Sequence, residues 1–170
     1  MATLIVEDGT GLANADSYAT VAYADTYHEN RGNTAWDSVS DKEAALRKAT
    51  DFMVGKYRLR WAGVRKTLTQ ALDWPRDIVP VIDKPGRYIA YYANTIVPTE
   101  VMNACASLAL RAASADLLAD QEQGKVSVTV GPISTTYDNN SSQGTKYPEV
   151  DNILRPFLQN SGNGIKMMRV

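Results

Sequence analysis

The sequence predicts a mainly α-helical protein, a small helical bundle with one β-hairpin and an extended C-terminal tail. Three stretches place apolar residues at helical spacing behind a polar cap or a proline. Around Gly131-Pro132, apolar and polar residues alternate, which is typical of two short strands. A Gly, Asn and Ser linker precedes the last residues. We therefore expect one domain over 1–160, with the hairpin inserted at about 125–138, and a tail over 161–170.

The first two helices have polar start signals. Asn14 or Asp16 is the expected cap of the first helix, which should end at Gly32. The second helix follows Ser40-Asp41-Lys42-Glu43. This spacing fits a capping box, in which the serine hydroxyl and the glutamate carboxylate each satisfy an exposed backbone amide. We expect this helix to end within residues 55–58.

The remaining chain combines one long helix with less regular segments. The longest helix is predicted to open at Val97-Pro98-Thr99-Glu100 and to end by Gly124, since proline is tolerated at the first helical position. Before it, residues 59–96 lack periodicity. Such a stretch is unusual in a compact domain and often functional, and its aromatic residues could pack on the core or contact a neighbouring subunit. A last short helix should begin near Tyr147 and be interrupted by Pro156.

Composition excludes several classes of protein. The chain has 170 residues, 22% charged residues and a net charge of -1, so gross charge does not favour nucleic acid or a membrane as its main partner. No apolar run approaches the roughly 20 residues of a membrane span, and no secretory signal is visible. A single cysteine cannot form an internal disulfide, so the fold does not depend on an oxidising compartment.

No residue pattern points to catalysis. His28, the one histidine, is predicted to be a surface or packing residue near a helix end, because no acid or nucleophile is placed against it. Cys105 lies on the apolar stripe of the third helix and should be a buried small hydrophobe. Residues 7–11 form an acidic, glycine-containing turn without a phosphate-binding or calcium-binding pattern. We therefore expect no enzymatic activity, no cofactor and no metal.

One segment departs from the overall charge. Residues 42–76 contain nine basic and three acidic residues, with two tryptophans interleaved. This combination suits a single-stranded-DNA groove, an oligomer interface that meets acidic residues of a neighbour, or the positive lining of a DNA passage. All three interpretations stay open. The candidate residues for a subunit interface or a DNA channel are Arg58, Arg60, Trp61, Arg65, Lys66, Trp74 and Arg76.

An ordered set of short motifs, spanning roughly residues 4–158, resembles a family of tailed-phage proteins. Each motif is weak alone, but their common order is specific. The motifs are Val6-Glu7-Asp8-Gly9-Thr10-Gly11-Leu12, Ala15-Asp16-Ser17-Tyr18, Tyr27-His28, Arg31-Gly32, Ala35-Trp36, Ala49-Thr50-Asp51, Arg60-Trp61 with Gly63, Gln70-Ala71-Leu72, Trp74-Pro75-Arg76, Val97-Pro98, Glu100-Val101, Leu108-Ala109-Leu110-Arg111-Ala112, Val130-Gly131-Pro132-Ile133, Tyr147-Pro148 and Val150-Asp151.

The family that these motifs resemble carries two labels, a head-tail connector (adaptor) and a DnaT-like single-stranded-DNA-binding protein. The first implies a ring, commonly a dodecamer, that joins the portal protein to tail or nozzle proteins and lets DNA pass non-specifically. It also implies assembly in the host cytoplasm and a place at the head-tail junction of the virion. The second leaves single-stranded-DNA binding in phage replication as the alternative. The C-terminal segment of such adaptors docks into the portal, a role that falls by position on Ile165, Lys166, Met167, Met168, Arg169 and Val170.

Overall fold

The computed structural model is mainly helical with a small hairpin, which confirms the predicted fold class. It describes residues 3–83, 85–86, 88–118, 127–130, 133–136 and 146–159. The helices are α1 (Val21–Glu29), α2 (Lys42–Tyr57), α3 (Thr99–Ala112) and α4 (Pro148–Leu154), and 3₁₀ turns occupy Thr34–Trp36 and Arg155–Phe157. The strands are β1 (Val64–Arg65), β2 (Arg76–Asp77), β3 (Ser127–Val130) and β4 (Ile133–Thr136). The predicted tail lies outside the described residues.

Helix α3 lies at the centre of the bundle and contacts α1, α2 and α4. Its buried face includes the small residues Ala104, Cys105 and Ala109, which allow neighbouring helices to approach closely. The Cys105 Sγ lies 3.4 Å from the Thr50 hydroxyl of α2. Burial raises the pKa of the Cys105 thiol, so the side chain stays neutral. The prediction that Cys105 is a buried packing residue is confirmed.

The caps of α1 and α2 differ from those predicted. The Thr20 hydroxyl accepts the Tyr23 amide at 3.0 Å, so α1 is capped by Thr20 and not by Asn14 or Asp16. Asp41 accepts the Ala44 amide at 2.9 Å and therefore replaces Ser40 as the cap of α2. Aspartate and serine are equally good caps, so the sequence alone does not choose between neighbours.

Asp16 has a different role from the predicted cap. Its carboxylate accepts the Ile5 amide at 2.8 Å and pairs with Arg47 of α2 at 2.8 Å. These contacts tie the N-terminal segment to the bundle.

Helix α3 is shorter than predicted. It ends at Ala112, twelve residues before Gly124, and the sixteen-residue α2 is the longest described helix. A turn follows at Ser114, whose amide and hydroxyl both donate to the Arg111 carbonyl, at 3.1 and 3.0 Å.

The two predictions for the C-terminal part are confirmed. Strands β3 and β4 pair antiparallel, with Val130 opposite Ile133, as the alternating pattern predicts. Helix α4 ends at Leu154, and Pro156 lies in the 3₁₀ turn that follows.

His28 is a packing residue in the core. Its ring stacks on Trp36 at a centroid distance of 4.7 Å. Its Nε2 lies 3.0 Å from the Ala106 carbonyl and its Nδ1 lies 3.2 Å from the Asn33 amide nitrogen. Because a carbonyl only accepts, we assign the proton to Nε2. Burial lowers the pKa of His28, so the ring is neutral in the folded protein.

We expect Asp41→Ala to destabilise the protein by about 1 kcal/mol, because α2 loses its cap. Ser40→Ala is the matched control and should change the free energy of unfolding by less than about 0.5 kcal/mol. Urea denaturation of both variants measures this difference. Equal losses would contradict the assignment of the cap to Asp41.

The buried His28 predicts a pH dependence of stability. Below the ordinary pKa of 6.5 the unfolded chain binds a proton at His28 that the folded protein resists, so stability falls as the pH drops from 7 to 5. His28→Gln removes this titration and should flatten the dependence, although it also lowers stability at every pH. Urea denaturation at a series of pH values gives both slopes, and parallel curves would disprove the assignment.

Candidate interaction surface on residues 59–96

A row of aromatic side chains anchors residues 59–96 to the bundle. The ring of Trp61 lies 5.7 Å from Tyr57, at the end of α2, and 5.8 Å from Trp74. Phe157 lies 5.6 Å from Trp74 and 5.1 Å from Tyr92. Both tryptophans are buried, so this row fixes the irregular segment from within.

The buried carboxylate of Asp73 adds a polar anchor. It accepts the Arg58 Nε at 2.9 Å and the Trp61 Nε1 at 3.2 Å. The Asp73 amide donates to the Tyr18 hydroxyl at 3.0 Å. Burial raises the pKa of Tyr18, so this hydroxyl stays protonated. Asp73 therefore connects the segment before α1, the end of α2 and the irregular segment.

Arg76 supports the backbone of the same segment. Its buried guanidinium donates to the carbonyls of Ala62 and Gly63, both at 2.8 Å, and to that of Asp73 at 3.2 Å. Burial lowers the pKa of Arg76. The guanidinium of Arg76 is therefore bonded inside the protein and is not exposed to a partner.

Strands β1 and β2 pair where the backbone has unusual geometry. Gly63 has a φ of +67°, and a Cβ there would lie 2.1 Å from the Asp77 carbonyl oxygen. Ile78 has a φ of +57°, which is rare for a β-branched residue. After this bend the side chain of Val79 is buried, whereas that of Ile78 is exposed. The bend therefore separates an inward residue from an outward one.

The seven predicted interface residues occupy one segment but differ in exposure. Trp61, Trp74 and Arg76 are buried. Arg65 and Lys66 are partly buried and donate to the carbonyls of Gln70 and Gly9, at 3.3 and 3.0 Å.

Arg58 and Arg60 are the exposed members of the set. The predicted portal-binding residues, 165–170, lie outside the described part of the chain.

Many of the exposed side chains of the segment are apolar, a feature that sequence reasoning did not identify. Leu59 is 93% exposed, Leu68 92% and Tyr88 86%. Among the described residues, Leu118 is the one exposed large apolar side chain outside the segment. We call the following nine residues the apolar set: Leu59, Val64, Leu68, Ile78, Ile82, Tyr88, Ile89, Tyr91 and Ile96.

Part of the apolar set lies on an arm. Residues 79–81 run antiparallel to residues 90–92, with the Val81 amide donating to Ala90 at 2.8 Å and the Tyr92 amide donating to Val79 at 2.9 Å. The base of this arm is fixed because Val79 is buried and Tyr92 rests on Phe157. The arm therefore presents apolar side chains, including Ile82 and Tyr88, from a fixed base.

The match to a protein-family model shows which family the chain belongs to. The family model described as "Putative DnaT-like ssDNA binding protein" matches residues 2–170. The chain belongs to this family. The match confirms the second label of the resemblance, and its description does not mention a connector. No curated protein and no solved structure matches the chain.

Besides Arg58, two arginines at or near residues 59–96 are exposed. The Arg60 guanidinium lies 5.5 Å from the centroid of the Tyr57 ring. Arg155 is exposed in the last 3₁₀ turn, where the Phe157 carbonyl accepts the Ala62 amide at 2.8 Å. Within the described ranges neither guanidinium forms an ion pair. Both charges are therefore available to a partner.

Two further features are absent from the described part of the chain. No group of three or more His, Cys, Asp and Glu side chains there could hold a metal ion. None of the helices described combines the length and the apolar character that crossing a membrane requires.

The Asp73 network predicts a large loss of stability on Asp73→Ala. The buried Trp61 N–H would lose its acceptor and Arg58 its ion pair, at a cost of about 3 kcal/mol. Asp83→Ala, at an exposed position on the arm, is the control and should stay within about 0.5 kcal/mol of wild type. Urea denaturation followed by tryptophan fluorescence measures both. A small effect of Asp73→Ala would show that Asp73 does not hold the segment.

Proposed function

We propose that this chain is a structural adaptor subunit that forms a ring and joins the portal of a tailed phage to its tail. The observation that carries the proposal is the concentration of exposed large apolar residues on 59–96. Exposed apolar side chains gathered on one segment are typical of contact with another protein. The role is structural and requires neither a catalytic site nor a cofactor.

The anchoring of the segment supports a contact surface. Trp61, Trp74 and Asp73 hold its inner side in the core. Leu59 and Leu68 can therefore meet a partner without the ordering of a loose loop, which would reduce affinity. A surface held in advance in this way favours the weak, repeated contacts of a ring.

The bonding of basic residues within the protein also favours an adaptor over a groove that binds DNA tightly. Arg76 is bonded to backbone carbonyls, and Arg58 is paired with Asp73. Few cations are left to neutralise phosphates, although phosphate contacts supply most non-specific affinity. Such a surface can line a passage through which DNA moves.

The adaptor proposal is tested by recruitment to the portal protein of the same phage. Light scattering should show that many copies of the wild-type chain add to the portal. Leu68→Glu combined with Tyr88→Glu should reduce recruitment at least tenfold, because charges enter the apolar contact. Leu118→Glu is the control, since Leu118 is exposed outside the segment.

Failure of the wild-type chain to bind the portal would contradict the adaptor role. Loss of recruitment in a chain that ends at Gly162 would assign the portal contact to the C-terminal tail.

Single-stranded-DNA binding is the second candidate, favoured by the family description and by the exposed Tyr88 and Tyr91. Aromatic rings of this kind can stack on bases. Fluorescence anisotropy with a labelled oligonucleotide should then show salt-dependent binding that Tyr88→Ala and Arg60→Ala weaken. Binding that is unchanged in both variants would exclude this surface as the DNA site.

A further inference from the structure

Two surfaces of opposite charge lie at the two ends of α2. At its N-terminal end is a cleft with a volume of about 380 Å³, whose lining includes Asp25, Glu29 and Asp37. At its C-terminal end lies the exposed Arg60. The sixteen residues of α2 separate the two ends by about 24 Å. Arg60 therefore cannot reach the cleft of its own copy.

The cleft keeps an uncompensated negative charge. Asp25 accepts Lys42 Nζ and Trp36 Nε1, both at 2.7 Å. The hydrogen bond from Lys42 lowers the pKa of Asp25, which is therefore ionised at neutral pH. Glu29 and Asp37 are exposed, and within the described residues neither has an ion pair. Lys42 is thus the one cation of the lining against three carboxylates.

The opposite end keeps an uncompensated positive charge. Two carboxylates near this end already have partners, since Asp73 pairs with Arg58 and Asp151 pairs with Lys56. Arg60 and Arg155 have no ion pair among the described residues. Beside Arg60, Leu59 is almost fully exposed.

The whole sequence shows the same separation of positive and negative charge. Residues 42–76 have nine basic and three acidic residues, and the rest of the chain has nine basic and sixteen acidic ones. A second copy of the chain therefore offers the charge that each surface lacks. Complementary charges of this kind fix which faces of two proteins meet.

We infer that the acidic cleft of one copy binds Arg60 of a second copy, with Leu59 packed beside it, in a head-to-tail contact. This inference rests on the proposed self-association and names its two surfaces. A contact between different surfaces repeats from copy to copy and closes into a ring when the rotation permits. A contact between identical surfaces would stop at a dimer.

Cysteine cross-linking tests this contact directly. The one natural cysteine, Cys105, is buried, and Cys105→Ala removes any background. In that background we would make Arg60→Cys, Asp37→Cys and the chain that carries both changes. Each is treated with a short bismaleimide, once alone at high protein concentration and once after binding to the portal protein. Mixing the two single variants should give dimers, and each alone should not. The chain with both cysteines should give a ladder of multimers.

Cross-links that form equally in each single variant, or in no sample, would overturn the inference.

A charge exchange gives a second test. Arg60→Glu and Asp37→Arg should each weaken self-association at least tenfold, measured by sedimentation, and the two changes in one chain should restore it. Absence of this restoration would also overturn the inference.

Portal recruitment is measured in parallel and separates the two proposals. A chain that joins the portal without cross-links refutes only the head-to-tail contact. Cross-links without portal recruitment refute only the adaptor role.

Discussion

The buried carboxylate of Asp73 holds together parts of the chain that no helix or sheet connects. It accepts hydrogen bonds from Arg58, after α2, and from Trp61. The backbone amide of Asp73 donates to the Tyr18 hydroxyl, before α1. A buried carboxylate without partners costs several kcal/mol, so conformations that break these bonds are strongly disfavoured. This constraint explains how residues 59–76 are held on the bundle although β1 and β2 are each only two residues long.

The same network separates the formal charge of the segment from the charge on its surface. Residues 42–76 are strongly basic, but Arg76 is enclosed and Arg58 is neutralised by Asp73. The inner side of the segment therefore holds bonded charges beside the buried Trp61 and Trp74, whereas its outer side presents Leu59 and Leu68. This distribution reverses the usual arrangement of a surface loop. It suits a segment whose outer side is covered after assembly, because exposed apolar area is stabilising only when a partner removes it from water.

The sequence predicts elements whose signals are local and fails where the outcome depends on tertiary contacts. The end of α2, the hairpin and the break at Pro156 follow from periodicity, alternation and the missing amide of proline. The choice between Ser40 and Asp41 as a cap depends on small differences in geometry. Within 59–96 no period assigns residues to an inner or outer face, so Trp61 could be placed on the segment but not in the core. The apolar set was missed for the same reason.

The family description and the adaptor proposal make different demands on one surface. A protein that holds single-stranded DNA needs accessible rings and free cations, and Trp61 and Trp74 are not accessible. A ring through which DNA passes needs the opposite, since a lining that stacked on bases and neutralised many phosphates would retain the DNA. The enclosed Trp61 and Trp74 cannot stack on bases, and the internally bonded Arg58 and Arg76 contribute little to phosphate contacts. The internal bonding of Arg76 and Trp61 thus favours the adaptor role on physical grounds, while the exposed Tyr88 keeps the DNA-binding hypothesis testable.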